Sequence, residues 1–220
     1  MSTAREIPAT PWSATGSRWS LRPATVAVLV AGLWLFATGE AMLVATALGN
    51  SPWTVLAQGI SLHSPLTIGQ ATLAISAAIM VLWIPLRERV GFGTVANAVV
   101  IAIGIDVMLL VLPSPAGLVL QLLEVLAGVS ILAVGAAVYL TANLGPGPRD
   151  GLMTGLHRRY GWRIAVVRTG LEVTALSLGA LLGGRVGIGT VIFALGVGPA
   201  LGLTLLGLRR LYGRSVPATD

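Results

Sequence analysis

The sequence contains no cysteine and no lysine, and only 10% of its 220 residues are charged. Without cysteine, the chain has no disulfide framework, no thiolate metal site and no thiol catalysis. Its two histidines, His63 and His157, lie in different segments and cannot form an ordinary zinc site alone. The G-x-S-x-G, H-E-x-x-H, Walker and Rossmann patterns are also absent. We therefore expect no enzyme activity, no bound metal and no cofactor.

Apolar residues and glycine are abundant instead. Hydrophobic residues make up 55% of the chain, there are 28 glycines, and the mean hydropathy is +0.87. Long apolar runs that contain glycine are typical of helical proteins with several membrane spans. The formal charge is +6, but the arginines flank the apolar runs, so we attribute them to membrane orientation and expect no nucleic-acid partner.

The chain contains an internal repeat. GEAMLVATALGNSPW (Gly39–Trp53) returns as GAAVYLTANLGPGPR (Gly135–Arg149), and VGFGTV (Val90–Val95) returns as VGIGTV (Val186–Val191). Both pairs are displaced by the same 96 positions, without a gap. Apolar matches arise easily in such a chain, but matched Gly, Pro and Thr positions do not. The sequence therefore predicts two related halves.

Six apolar segments approach the roughly 20 residues that a membrane-spanning helix needs. Two further segments, Asn50–Ser64 and Pro146–Gly161, are bounded by Gly and Pro and have the length of re-entrant segments. If these two do not span, nearly all arginines fall on one side of the membrane, with Arg185 outside and Arg168 within a helix. The predicted spans are Pro23–Leu48, Thr67–Leu86, Thr94–Leu112, Ala116–Leu144, Ile164–Leu182 and Thr190–Leu211.

Three spans in each half place the second half upside down relative to the first. The predicted fold is an all-α membrane protein with six transmembrane helices in two inverted three-helix repeats, each with a short re-entrant helix. The predicted boundaries are a flexible cytoplasmic N-terminal tail (1–22), repeat 1 (23–112), repeat 2 (116–211) and a cytoplasmic C-terminal tail (212–220).

The two re-entrant segments are the predicted location of a binding site near the midplane of the membrane. Irregular backbone at that depth must be covered by protein or line a water-filled cavity. The predicted structural motif is Gly49, Pro52, Gly145, Pro148 and Gly151, in which each proline suits the first turn of a short helix. Alternatively, these small residues only allow close helix packing.

Charged residues within membrane segments are costly and indicate function by default. Arg168 and Glu172 lie four residues apart on one helix face, where they can form a site or simply a neutral structural pair. Asp150 either contributes to the site or caps the helix that follows it. Gln58, Gln70, Asn97 and Tyr139 are further polar candidates. The predicted substrate-binding residues are Glu40, Asn50, Trp53, Asp106, Asn143, Arg149, Asp150, Arg168 and Glu172.

Several of these segments resemble the bacterial YczE/YitT-type integral membrane proteins, and more closely the YczE branch. The resemblance runs from about Gly39 to Pro199 and is carried by GNSPWTVLAQGIS, GFGTVANAVVIAIGID, GPGPRDGLMTGLHRRYG, VRTGLEV and GGRVGIGT. It implies a multi-pass protein of the bacterial cytoplasmic membrane. It also marks Gly145, Pro148, Arg149, Asp150, Gly151, Arg168 and Glu172 as positions typical of the family.

The predicted function is transport of a small solute by alternating access, with the lipid bilayer and an unidentified solute as partners. In this hypothesis Arg168 and helix N-termini hold an anionic group, while Glu172, Glu40 or Asp106 carries a proton or binds a cationic group. The alternatives are a passive channel, and an accessory protein whose Arg149–Arg163 segment docks anionic lipid or a cytosolic protein. The sequence leaves assembly into a homo-oligomer open.

Overall fold

The computed structural model describes residues 7–212 and 214–215. These residues form eight helices and one two-stranded antiparallel ribbon, in which β1 (Pro8–Ala9) pairs with β2 (Arg214–Ser215). The predicted all-α class is confirmed. The helices are α1 (Pro23–Thr46), α2 (Pro52–Leu62), α3 (Ile68–Leu86), α4 (Phe92–Val111), α5 (Leu118–Thr141), α6 (Pro148–Tyr160), α7 (Ile164–Leu181) and α8 (Ile188–Tyr212).

Six of these helices, α1, α3, α4, α5, α7 and α8, are long and apolar enough to cross a membrane. They coincide with the six predicted spans to within a few residues at each end. Their outward faces carry large apolar side chains such as Leu110, Leu181 and Leu195, which are 87%, 84% and 73% exposed. Continuous apolar surface of this kind suits contact with lipid tails.

The other two helices are too short to cross. α2 has 11 residues and α6 has 13, which correspond to about 16 Å and about 20 Å of helix, against a hydrocarbon core about 30 Å thick. Each begins at a proline, Pro52 or Pro148, as the sequence predicts. Proline is tolerated there because the first helical N–H has no partner within the helix.

Glycines bring α1 and α5 into close contact. A Cβ atom added to Gly32 would lie 2.6 Å from the backbone N of Tyr139, and one added to Gly39 would lie 2.5 Å from the carbonyl oxygen of Gly128. The Gly32 end of α1 therefore meets the C-terminal part of α5, while Gly39 meets an earlier turn. The two helices run antiparallel, at a distance that only glycine permits.

The loops that precede the two short helices each contact the opposite half of the chain. Gly49 has a φ of +117° and lies against Gly187, while Gly145 has a φ of +113° and lies against Gly91. A Cβ on Gly49 would collide with Gly187, a Cβ on Gly145 would be tight against Thr94 and Gly91, and both positive φ angles favour glycine. The motif glycines thus serve backbone conformation and close packing at once.

Each of these two loops also accepts a backbone hydrogen bond from the opposite half of the chain. The N–H of Gly189 donates to the carbonyl of Leu48 at 2.9 Å, and the N–H of Gly93 donates to the carbonyl of Leu144 at 2.8 Å. The first bond fixes the loop before α2 to the first turn of α8, and the second fixes the loop before α6 to the first turn of α4. These bonds position the starts of α2 and α6 relative to both halves.

Part of the N-terminal segment, around residues 10–14, packs against the helices, within the stretch for which a flexible tail is predicted. Ala14 is 1% exposed and donates its N–H to the carbonyl of Ala142 at 3.0 Å. The indole of Trp12 donates to the Thr141 hydroxyl at 2.9 Å, and the Ser13 hydroxyl donates to the Thr141 carbonyl at 2.6 Å. Of the predicted C-terminal tail, residues 213 and 216–220 lie outside the described residues.

The glycine contact between α1 and α5 can be tested by substitution. We expect Gly39→Leu to destabilise the protein by about 1–3 kcal/mol or more, since its side chain must displace the backbone of α5. Gly207→Leu is the matched control, because a Cβ at Gly207 in α8 meets nothing within 4 Å. The measurement is thermal unfolding in detergent. Equal melting temperatures for the two variants would contradict the close contact.

Candidate functional site

A cavity of about 170 Å³ lies between the two halves, and all eight helices contribute residues to its wall. The first turns of both short helices line it, through Ser51, Pro52 and Trp53 on α2 and through Arg149 and Asp150 on α6. The fixed loops described above thus bring two helix N-termini to one cavity.

Six of the nine predicted binding residues line this cavity. Five of them are charged, which is unusual for a space enclosed by membrane helices, where each charge is costly and marks a functional site by default. The six residues are Glu40, Trp53, Arg149, Asp150, Arg168 and Glu172.

Glu40 is 1% exposed and its carboxylate lies at the start of α2. The hydroxyl of Ser51, the N-cap residue, lies 2.9 Å and 2.8 Å from the two carboxylate oxygens, and the Thr54 hydroxyl donates to one of them at 2.7 Å. A carboxylate is favourable at this end of a helix, because the macrodipole is positive there. Glu40 therefore joins α1 to α2 and closes one end of the cavity.

Arg149 lies in the first turn of α6, and its guanidinium carbon is 5.1 Å from the centre of the Trp53 ring. This is a cation–π contact between the starts of the two short helices. In the described part of the chain, the ion pairs within 4.0 Å are Arg158–Glu88 and Arg168–Glu172, so no carboxylate lies that close to Arg149. Its planar set of N–H donors is available to the cavity.

Asp150 follows Arg149 in the first turn of α6, and the Tyr139 hydroxyl donates to its carboxylate at 3.2 Å. This bond ties α6 to α5. An acidic side chain in the first turn is also stabilised by the helix macrodipole. The alternative that Asp150 caps this helix is wrong, because the N-cap residue is Gly147 and Asp150 lies within the first turn, where it lines the cavity.

Arg168 and Glu172 form an ion pair on α7, with 3.0 Å between Nε and Oε1. The pair has the i, i+4 spacing that the sequence indicates. Because Glu172 already pairs with the Arg168 charge, Arg149 is the better placed cation for an external anion.

The remaining three predicted residues do not line the cavity. Asn50 donates to the side-chain carbonyl of Gln58 at 2.9 Å, and Asn143 donates to a backbone carbonyl of the N-terminal segment at 3.1 Å. Asp106 accepts a hydrogen bond from Thr67, the N-cap residue of α3. All three hold neighbouring segments together.

Trp83 was not among the residues that the sequence suggested, yet it positions the start of α6. It is 1% exposed, and its indole donates to the carbonyl of Pro148 at 3.1 Å. A Cβ on Gly151 would collide with the Trp83 ring, so that motif glycine makes room for the tryptophan. A single Trp within an apolar span gives no signal of this role. Ser51 and Thr54 were also missed. Ser is a preferred N-cap residue, but the Ser51 hydroxyl bonds Glu40 instead of the helix backbone, which the sequence does not indicate.

Among the described residues, no three His, Asp or Glu side chains are grouped so as to hold a metal ion.

Residues 23–205 match the model of a family described as a family of unknown function, DUF6198. A protein of Haemophilus influenzae, described as uncharacterized, is 41% identical over 207 residues, which are 94% of each chain. The uncharacterized membrane protein YczE of Bacillus subtilis is 32% identical over 189 residues, 86% of this chain and 85% of that protein. The uncharacterized protein YyaS of Bacillus subtilis is 26% identical over 165 residues, 73% of this chain and 82% of that protein.

No solved structure matches this chain. The family match and the identity to YczE agree with the resemblance found in the sequence, and the six apolar helices agree with the membrane description of that relative. The chain therefore belongs to this YczE-like family and is a multi-pass membrane protein.

Proposed function

We propose that this protein transports a small solute across the membrane and binds it in the cavity between its two halves. The observation that carries this proposal is the group of five charged side chains that line one cavity together with the first turns of both short helices. The cavity volume of about 170 Å³ is close to that of a cavity known to hold benzene. It suits a solute of roughly six to ten non-hydrogen atoms.

The proposal includes an inverted repeat. Adding 96 to Gly32 and Gly39 gives Gly128 and Gly135, and these four glycines form the contact between α1 and α5. Gly32 contacts Gly135, and Gly39 contacts Gly128. Replacing each glycine by its repeat partner therefore turns the first contact into the second. Such an exchange, together with antiparallel helices, is what a two-fold axis in the membrane plane produces.

We further propose that α2 and α6 are re-entrant helices. Both are too short to cross, and the first turn of each lies beside charged residues that line the cavity. The first N–H groups of a helix lack partners within it, and a polar cavity can satisfy them. In several transporter folds, interrupted helices of this kind form the substrate site at the interface of inverted repeats.

In the proposed mechanism, Arg149 binds an anionic group of the solute while Glu40, Asp150 or Glu172 carries a proton or meets a cationic group. Rocking of one half against the other then opens the cavity to alternate sides. The ribbon of β1 and β2 brings both ends of the described chain together. This agrees with six crossings, because an even number places both ends on the same side of the membrane. The distribution of arginines favours the cytoplasmic side of a bacterial cell membrane for both ends.

The inverted arrangement can be tested with single cysteines, since the chain has none of its own. His63 and Arg159 are matched by the shift of 96 and both are exposed. We expect an impermeant maleimide to label His63→Cys in intact cells, and Arg159→Cys only after permeabilisation. Labelling of both sites in intact cells would contradict the inverted repeat.

The binding role of Arg149 can be tested by thermal shift of the purified protein against amino acids, organic acids, amines and nucleosides. A ligand present at 100 times its dissociation constant stabilises the parent by about 2.7 kcal/mol. We expect Arg149→Ala to weaken that ligand about 10- to 150-fold, because a charge-assisted hydrogen bond contributes about 1.5–3 kcal/mol. Arg159→Ala, on the exposed end of the same helix, is the control. Equal ligand response in both variants would exclude Arg149 from the site.

A further inference from the structure

The two short helices begin in matched but chemically different surroundings. The shift of 96 that relates the halves pairs Glu40 with Ala136 and Ser51 with Gly147. The Glu40 carboxylate occupies the start of α2, where it accepts hydrogen bonds from Ser51 and Thr54. At the start of α6, the matches of Glu40 and Ser51 provide neither a carboxylate nor an N-cap hydroxyl, while the match of Thr54 is Asp150, whose carboxylate accepts a hydrogen bond from Tyr139. Ala136 and Gly147 line the cavity instead.

The start of α6 also provides hydrogen-bond donors that the start of α2 does not. The shift of 96 pairs Trp53 of the first half with Arg149 of the second, and Asn97 of the first half with Phe193 of the second. All four side chains line the cavity. The Asn97 amide lies close to Gly147, since a Cβ on that glycine would be 3.1 Å from the Asn97 Nδ2 atom.

Arg149 and Asn97 have donors to spare. Within residues 7–212 and 214–215, neither side chain makes a hydrogen bond to another residue, and no carboxylate lies within 4.0 Å of Arg149. An arginine fork and an amide are the groups that hold a carboxylate in a fixed orientation. At the start of α2 the carboxylate of Glu40 is bonded to the helix start, whereas at the start of α6 the carboxylate of Asp150 is bonded to Tyr139 and the donors of Arg149 and Asn97 make no described hydrogen bond.

We propose that the solute is a small carboxylate whose carboxyl group binds at the start of α6, beside Ala136 and Gly147, with Arg149 and Asn97 as its donors. The carboxyl group of the solute then occupies, at the start of α6, the position that the Glu40 carboxylate occupies at the start of α2. This inference rests on the proposed transport function and names the substrate class of the same site.

The first test compares acids with their amides. The purified full-length protein is screened by thermal shift against small monocarboxylates and α-amino acids, each paired with its carboxamide at the same concentration. We expect at least one acid to stabilise the protein, with an affinity at least tenfold above that of its amide. Equal stabilisation by acid and amide, or a response only to amines or nucleosides, would overturn the carboxylate assignment.

The second test places a carboxylate from the protein itself in the open position. We expect Ala136→Glu to lower the affinity for the stabilising acid more than tenfold, because its own carboxylate competes for Arg149. Ala136→Gln has almost the same size without the charge and should lower the affinity less. Equal losses in both variants would mean that only space was removed, and would contradict the proposed position.

A third variant keeps the proposal testable if substitutions at the buried Ala136 prevent folding. Asn97→Ala removes a side chain that makes no described hydrogen bond, so the fold should tolerate it. We expect it to weaken the acid roughly three- to tenfold and to leave the melting temperature of the free protein unchanged. Unchanged acid affinity would contradict the role of Asn97.

The outcomes separate this inference from the transport proposal. Uptake of a solute without a carboxyl group into proteoliposomes, with the same dependence on Arg149, would overturn the carboxylate assignment and leave transport standing. Tight binding of an acid without any uptake would overturn the transport proposal and leave the carboxylate assignment standing.

Discussion

The antiparallel contact of α1 with α5 is the constraint on which the rest of the structure depends. Four glycines let the two backbones touch, so the two helices that lead into α2 and α6 are held at a fixed, close distance. After α1 and again after α5, the chain turns into a short helix, α2 or α6, instead of a further crossing. Glu40 on α1 and Tyr139 on α5 consequently reach the starts of α2 and α6 from neighbouring positions.

The two halves share a backbone plan but differ in the chemistry of the short helices. In the first half, the chain supplies its own carboxylate to the helix start and buries it. At the start of α6 in the second half, Arg149 lines the same cavity together with the Asn97 amide of α4 from the first half, and among the described residues no carboxylate lies within 4.0 Å of Arg149. Under the proposed function, unequal ends would give a solute one defined orientation, which a symmetric pair of sites would not.

The sequence predicted the spans and most of the charged cavity, because both depend on signals along the chain. Apolar runs of sufficient length predict spanning helices, and Glu40, Arg168 and Glu172 are conspicuous within them. The sequence did not distinguish Arg149 as the available cation, because the pairing of Arg168 and the position of Trp53 are properties of the folded state. Asp106 was assigned to the site on its charge, yet the structure shows it at the N-terminus of α3, a contact between residues 39 positions apart.

The central claim is that the cavity carries a solute across the membrane. Its most direct test is the time course of uptake of the stabilising acid into proteoliposomes, with Arg149→Ala reconstituted to the same density. The account predicts saturable uptake by the parent protein and little above the protein-free background for the variant. Uptake that rises linearly with concentration and is the same for both proteins, or no uptake by the parent, would contradict it.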